Sequence, residues 1–417
     1  MSLAWVAYRM LAPCAGAIAP GARVLASPSE RRLWGERLGS ARLEGGCHAW
    51  IHAASLGEAV AVPPLVRELS SVQPGARLYL TATTRTGRAR LGELPHPVSL
   101  APIDTPQAAR RFFEGVRPDR LFLVETELWP HWLLRARSQG VPVAVVSARL
   151  SERSVARYRR LGGELRRLVA GLAGVLCQGA SDERRWLEIG ARPERTAVVG
   201  NLKDDGLPPS PPDRAAARQA LGLDRERPLL VLGSLRPGEV GPLARALSSL
   251  PEAVRDRWQV VAVPRHARAS GELLDEARGA AQVLARSGAP RRGAWRWDDG
   301  TGVLSGYYAA ADVAFVGGSL GPYGGHNPLE PAACGAAVVL GCHHEAQADG
   351  VRALRERDAV TVVRGEDELA PALARLLTDE SLRVARAAAA LETVRDRRGA
   401  ARRAVERLAS WGLWPAD

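Results

Sequence analysis

Lysine is all but missing from this chain: of its 57 basic residues only Lys203 is a lysine. Asparagine is nearly as rare, present only at Asn201 and Asn327. A bias this strong removes a residue wherever a substitute serves, so the survivors mark places where the chemistry needs them. Arginine does not mimic a compact ammonium, and asparagine offers both a donor and an acceptor. Asn201 and Lys203 stand together in "GNLKDD", and Asn327 lies in "GGHNPLEP". Cysteine is sparse too. Cys14, Cys47, Cys177, Cys334 and Cys342 are odd in number and scattered, which fits reduced thiols in a cytoplasmic compartment and not a disulfide frame. None has metal-ligand spacing backed by histidines. Cys342 beside His343 and His344 reads as a polar loop, because adjacent residues rarely converge on one ion. No metal and no cofactor is therefore expected. There is no GxxxxGK[ST], which excludes a P-loop NTPase, and the glycines miss the GxGxxG spacing of dinucleotide binders.

A long uninterrupted apolar run is also missing. "MSLAWVAYRMLAPCAGAIAPGARV" is broken by Arg9, Pro13 and Pro20, and the uncharged stretch after Arg9 falls short of the ~20 residues of a spanning helix. With the basic, amphipathic "SERRLWGERLG" behind it, the segment 1–44 reads as lying on, or shallowly anchored in, an anionic membrane surface. A spanning helix is the alternative.

What the chain does have is room for two α/β domains in 417 residues, and the composition of a soluble globular protein, 46% hydrophobic and 24% charged. A net charge of +12 suggests an anionic partner. The arginines are spread along the whole chain without interleaved stacking aromatics, so nucleic acid is not expected.

From His48 onward short apolar runs alternate with helical ones. "HAWIHAA", "RLYLTAT", "RLFLVETEL", "VPVAVVSAR" and "GVLCQG" read as strands, and "GEAVAVPPLVRELSSV" as one helix. The prolines of "LPPSPPDRAAARQALG" break the pattern, and a second series follows with "RPLLVLGSL", "WQVVAVPRH", "DVAFVGGSL" and "AAVVLGC". The expectation is an α/β protein with two Rossmann-like domains facing a cleft. Residues 45–206 form the first domain, 207–215 a linker, and 216–417 the second, which includes the terminal helices. Ligands of open parallel sheets bind beyond the carboxyl ends of the strands, where this sequence places Ser55 to Glu58, Thr81 to Thr86, Glu125 to Glu127, Ser234, Arg265 and Ser319.

Each of these has a bland reading beside the chemical one. Glu58 in "SLGE" either complements a helix dipole or acts as a base. Glu125 and Glu127 in "VETELWP" form either a structural ion pair or a reacting pair, since buried charge needs a partner or a purpose. Arg265 and His266 in "PRH" suit either a surface salt bridge or a phosphate. The glycine-rich "VGGSLGPYGGHNPLEP" is either a turn or a loop whose backbone approaches a nucleotide, with Ser319, Gly325 and His326 in the loop and Glu330 available to ribose hydroxyls.

Taken in order, "SLGE", "ETELWP", "GNLK", "PRH", "YAAADVAFVGGSL" and "GGHNPLEP" resemble the 3-deoxy-D-manno-octulosonic acid (Kdo) transferases, inverting, metal-independent GT-B glycosyltransferases of lipopolysaccharide synthesis. The resemblance runs from Trp50 through the last helices. It implies transfer of Kdo from CMP-Kdo to a phosphorylated lipid A precursor at the cytoplasmic face of the inner membrane. It makes Glu58 the general base, and Glu127 and Lys203 the pair that stabilises the transition state. It assigns Pro264, Arg265, Thr301, Gly302, Val303, Asn327, Pro328, Leu329 and Glu330 to CMP. Two departures stand out. Leu235 and Arg236 replace the Thr-His of the family's Gly-Ser-Thr-His, and Thr301-Gly302-Val303 replaces Met-Gly-Glu. Another GT-B enzyme using a UDP-sugar (a glycosyltransferase or an epimerase) and a degenerate, non-catalytic membrane-associated binding protein are the alternatives.

Overall fold

The computed structural model describes residues 27–278, 282–285 and 292–416, together with Tyr8. Most of the segment expected at a membrane, residues 1–26 apart from Tyr8, lies outside the described residues. Among the described residues no helix is long and apolar enough to cross a membrane.

The chain divides into two units, residues 1–206 with 398–417, and residues 207–397. Each is built on a seven-stranded sheet. The first contains β1 (Ala49–His52), β2 (Leu78–Ala82), β3 (Val98–Leu100), β4 (Leu121–Val124), β5 (Val143–Ala148), β6 (Gly174–Cys177) and β7 (Thr196–Val198). Their order is β3-β2-β1-β4-β5-β6-β7, with every neighbouring pair parallel. The second contains β8 (Leu229–Leu235), β9 (Gln259–Pro264), β10 (Gln282–Ala285), β11 (Ala294–Trp297), β12 (Val313–Val316), β13 (Ala337–Gly341) and β14 (Val360–Val363). These too are all parallel, in the order β10-β11-β9-β8-β12-β13-β14. Two Rossmann-like domains of the GT-B class are thus present.

Both faces of each sheet are covered, which is why the central strands read as continuous apolar runs with no polar alternation. In the first sheet Trp50, Leu121, Leu123, Val143 and Val145 pack into one core. Their neighbours Ala49, Ile51, Phe122, Val124, Ala144 and Val146 pack into the other, following the period of two that a pleated strand imposes.

Three details differ from the sequence expectation. The single helix expected at "GEAVAVPPLVRELSSV" is two, Leu56–Ala59 and Val62–Val72, because Pro63 and Pro64 bring no N–H and fit only at a helix start. The expected linker ends earlier than 215: Asp213 caps the helix Arg214–Ala220 by accepting from the Ala215 and Ala216 N–H groups at 2.9 and 3.1 Å. The helix Ala400–Ser410, assigned from sequence to the second domain, belongs to the first unit. Its Ala404, Val405 and Leu408, with Trp414 beyond it, fill the core under Phe122. Asp205 fixes its start by accepting from the Gly399 and Ala401 N–H groups, each at 2.6 Å.

Both sheets reverse strand order at one place, between β1 and β4 in the first and between β8 and β12 in the second. That topological switch point is where a crevice opens beyond the strand ends. Two strands also carry a register shift near the same end. Ser147 in β5 and Ser234 in β8 sit within the shifts at φ 52° and 56°, a left-handed conformation rarely taken by residues with a Cβ.

Candidate active site

At the first switch point β1 runs into the turn that carries Glu58, and β4 into the turn that carries Glu125 and Glu127. Ser55 caps the short helix Leu56–Ala59 by accepting from the Glu58 N–H at 3.4 Å. The Glu58 carboxylate turns back to accept from the Ala54 N–H at 2.5 Å and from the Ser55 hydroxyl at 3.3 Å. A carboxylate complementing a helix dipole would be held in its ionised form. The structure reverses the balance. Burial, then the charges of Glu127 and Glu125, push the Glu58 pKa up to about 7, against the backbone N–H groups that favour the anion. A helix of four residues carries too small a dipole to offset two nearby carboxylates.

Glu125 leaves β4 at φ 63°, a strained position for a glutamate, and its N–H is held by the Val146 carbonyl at 3.0 Å. Its Oε1 accepts from Lys203 Nζ at 2.5 Å. The lysine thus pairs with Glu125, and not with the Glu127 that the resemblance coupled to it. Glu127 instead accepts from the Trp129 indole N–H at 2.7 Å and faces His52 Nε2 at 3.7 Å. Lys203 lies in the tight turn Leu202–Gly206, and Asn201 Oδ1 accepts from its backbone N–H at 3.0 Å. Ser147 supports that turn from below, its hydroxyl within 3.4 Å of Asn201 Oδ1 and accepting from the Leu202 N–H at 3.3 Å. The single lysine and Asn201 thus belong to one turn. Thr81, grouped from sequence with the strand-end residues, is fully buried inside β2.

At the second switch point the glycine loop after β12 is organised by a residue that sequence reasoning passed over. Glu239 is almost wholly buried and accepts from the N–H groups of Gly318, Ser319 and Leu320 at 2.8, 2.9 and 3.0 Å, and from Arg236 N–H at 2.9 Å. Burial raises its pKa while those four donors hold it down. The only sequence signal was an acidic residue at the N-cap of the largely apolar helix Val240–Ser248. The glycines serve this packing. A Cβ on Gly317 would lie 2.6 Å from the Ser234 carbonyl oxygen, and one on Gly325, at φ 76°, 3.1 Å from that of His343. These two glycines make room for the protein's own backbone. Ser319 is likewise internal: its hydroxyl donates to the Val316 carbonyl at 2.5 Å and accepts from the Gly341 N–H at 2.8 Å.

His326 does face polar surroundings. Burial and then the charges of Arg265, Arg236 and His266 lower its pKa to about 4, and its Nε2 is buried without a hydrogen-bond partner. Arg236, one of the departures from the family pattern, lies over the Tyr323 ring at 4.5 Å, and the Tyr323 hydroxyl donates to the Pro237 carbonyl at 3.2 Å. Arg265 is exposed just beyond Pro264, with its N–H on the Leu235 carbonyl at 2.9 Å. Asn327 Oδ1 accepts from the Leu329 N–H at 3.0 Å, and its amide reaches Glu330 at 3.4 Å. Pro328 precedes the five-residue helix Leu329–Ala333. Thr301, Gly302 and Val303 form the turn before the helix Leu304–Ala310, with Thr301 and Gly302 exposed.

Two sites are therefore built. One is a carboxylate–lysine cluster in the first unit, and the other a loop cluster in the second, where Arg236 and Arg265 surround His326. A family model described as 3-deoxy-D-manno-octulosonic-acid transferase (kdotransferase) matches residues 32–206. The chain is 36% identical to the 3-deoxy-D-manno-octulosonic acid transferase of Bordetella pertussis over 384 residues, 87% of each chain. It is 30% identical to that of Haemophilus influenzae over 394 residues, 92% of each. Among solved structures, the UDP-GlcNAc 2-epimerase of Neisseria meningitidis bound to UDP-GlcNAc superposes with a TM-score of 0.61 at 13% identity, covering 87% of this chain and 99% of that one. That likeness is one of fold. The sequence relatives, similar over nearly their full length, decide the family, and the chain belongs to the 3-deoxy-D-manno-octulosonic acid transferases.

Proposed function

We propose that this Kdo transferase is an inverting enzyme that moves Kdo from CMP-Kdo to a phosphorylated lipid A precursor and releases CMP. The observation that carries the mechanism is Glu58, a carboxylate with a pKa of about 7 beside Glu127 and Glu125. A general base works best when its pKa lies near the working pH, where it is both available and basic enough. The acceptor hydroxyl gives its proton to Glu58 as its oxygen bonds to the anomeric carbon of Kdo. The bond from that carbon to the phosphate oxygen breaks, and CMP leaves with the electron pair. Positive charge developing on the sugar, by analogy with glycoside hydrolysis, is met by the carboxylates of Glu127 and Glu125. Lys203 Nζ holds the Glu125 carboxylate in place through its 2.5 Å contact.

The nucleotide is assigned to the second unit. Arg265 and Arg236 supply positive charge around His326, which stays neutral and able to hydrogen-bond through its unpartnered Nε2. Arg236 places a permanent cation where the family has a titratable histidine. Val303 offers no carboxylate to the sugar or base, and Asn327 and Glu330 are the polar groups nearest in sequence to His326. The net charge of +12 supports work on a phosphorylated lipid at the cytoplasmic face of an anionic inner membrane, with residues 1–44 on that surface.

The deciding experiment incubates the purified protein with CMP-Kdo and a lipid A precursor and weighs the lipid. A mass increase of one or more Kdo units is expected, and none with UDP-sugars. Turnover of a UDP-sugar, or donor binding without any transfer, would favour the epimerase-like or the non-catalytic alternative. Retention on anionic vesicles that is unchanged by high salt would contradict a peripheral attachment.

A further inference from the structure

We propose that His52 is a positioning residue for Glu127, fixed as its Nε2–H tautomer by the hydroxyl of Thr81; this rests on the reading of Glu127 as part of the reacting cluster. His52 ends β1, and its side chain is fully buried. Its Nδ1 lies 2.9 Å from Thr81 Oγ1, and that same oxygen accepts from the Trp50 indole N–H at 2.7 Å. An indole nitrogen only donates, so Trp50 occupies one lone pair of the threonine. If Nδ1 carried the histidine proton, Thr81 would accept twice and its own O–H would point at no acceptor in a fully buried site. The arrangement that leaves nothing unmet has the Thr81 O–H donating to Nδ1, which places the ring proton on Nε2.

That nitrogen is buried with no hydrogen-bond partner and faces Glu127 Oε2 at 3.7 Å. The opposite tautomer would set a lone pair against the carboxylate. Trp132 holds the ring from the side, edge-to-face with centroids 4.9 Å apart, so the imidazole has little freedom to turn away. Glu127 retains partial exposure, and a small rotation of its carboxylate closes the gap to a hydrogen bond. Trp129 Nε1–H addresses the same oxygen at 2.7 Å. Two donors on Oε2 fix the carboxylate's orientation and leave Oε1 as the oxygen presented to a sugar. Neither donor is charged, so the negative charge needed opposite the reacting carbon is retained.

The first test needs no substitution. Long-range proton–nitrogen correlation spectra of the histidine-labelled full chain report the tautomer; an Nε2–H pattern is expected for His52, and an Nδ1–H pattern would overturn the proposal. The second uses the shapes of two amides. His52→Gln keeps a donor near the position of Nε2, whereas His52→Asn keeps a group only near Nδ1. The expected result is kcat within ~3-fold of wild type for His52→Gln and a fall of ~10-fold or more for His52→Asn, with KM unchanged in both. Equal kcat in the two folded variants would count against the proposal, since a merely structural histidine gives no reason for the amides to differ. If melting curves show that either variant fails to fold, the wild-type spectrum decides. Glu127→Gln separates the two levels: wild-type turnover there removes Glu127 from the reaction, while the spectrum still judges its positioning.

Discussion

Lys203 Nζ lies 2.5 Å from Glu125 Oε1, joining a turn after β7 to a turn after β4 across 78 residues of sequence. The contact is partly shielded, with 28% of the lysine side chain and 14% of the glutamate exposed. Glu125 holds its place at φ 63°, and a strained residue keeps such a conformation only where its surroundings over-determine it. Lys203→Arg tests what the ammonium does. A planar guanidinium does not reproduce the compact contact. Folding should survive, with a melting curve close to wild type, and turnover should fall by ~10-fold or more. Near-normal turnover would make the single lysine an accident of composition.

Glu58→Gln keeps the shape and the acceptor for the Ala54 N–H but removes the base, so transfer should drop by about 10²-fold or more while CMP affinity is unchanged. Single-turnover rates with a melting curve decide between chemistry and stability.

The pH dependence follows from the same group. The Glu58 pKa is raised in the folded protein from the ordinary 4.5 to about 7, so the folded state holds a proton that the unfolded chain has released. Its contribution to stability is present in full below about pH 4.5 and is lost as pH rises through about 7. Activity moves the opposite way, since only the anion accepts a proton. The rate should climb to a plateau with a midpoint near 7 in wild type, and Glu58→Gln should abolish that step. Stability difference curves of the two proteins from pH 4 to pH 9 should diverge over the same window; parallel curves would place the perturbed group elsewhere.

Glu239→Gln replaces an anion that accepts four backbone N–H groups with an amide that turns a donor toward some of them. A loss of about 1–3 kcal/mol in urea denaturation is expected for the unmet groups, with weaker CMP binding as the loop relaxes. Unchanged stability would mean that the loop keeps its form without the carboxylate.

Arg236→Gln removes one of the cations around His326 without opening a core, because Arg236 rests on an exposed tyrosine. CMP affinity measured by calorimetry should fall by ~10-fold, as for a lost charge-assisted contact to phosphate. In the wild-type protein the His326 titration midpoint should rise from about 4 when CMP binds, because the nucleotide's charge offsets that of the arginines. A midpoint indifferent to CMP would place the phosphate elsewhere.

The central strands were legible because burial on both faces writes itself into sequence as unbroken apolar runs, as in "LLVLGSL" and "VAFV". The short strands "VSL", "TAV", "QVLA" and "AWRW" were not, being three or four residues long with no pattern of their own. The positions of Glu58, Glu127 and Lys203 were legible from motif order. Long-range partners were not: Lys203 meets Glu125 across 78 residues, and Glu239 takes its loop N–H groups from 79 to 81 residues away, and no local spacing encodes either. The amphipathic face of Ala400–Ser410 announces a buried side without saying which sheet buries it.

The return of that helix to the first unit has a consequence for biosynthesis. Residues 207–397 are, in topological terms, an insertion within the domain that carries Glu58. During translation the second sheet is complete in sequence before the first has its full complement of core residues. Until Val405, Leu408 and Trp414 are made, the apolar layer that holds Phe122 lacks one wall. A nascent chain at that stage exposes apolar surface of the kind that invites aggregation or chaperone binding. A frameshift or stop near codon 398 would therefore disable the unit that carries Glu58 while leaving residues 207–397 intact. A truncated product of that kind should still bind CMP and transfer nothing.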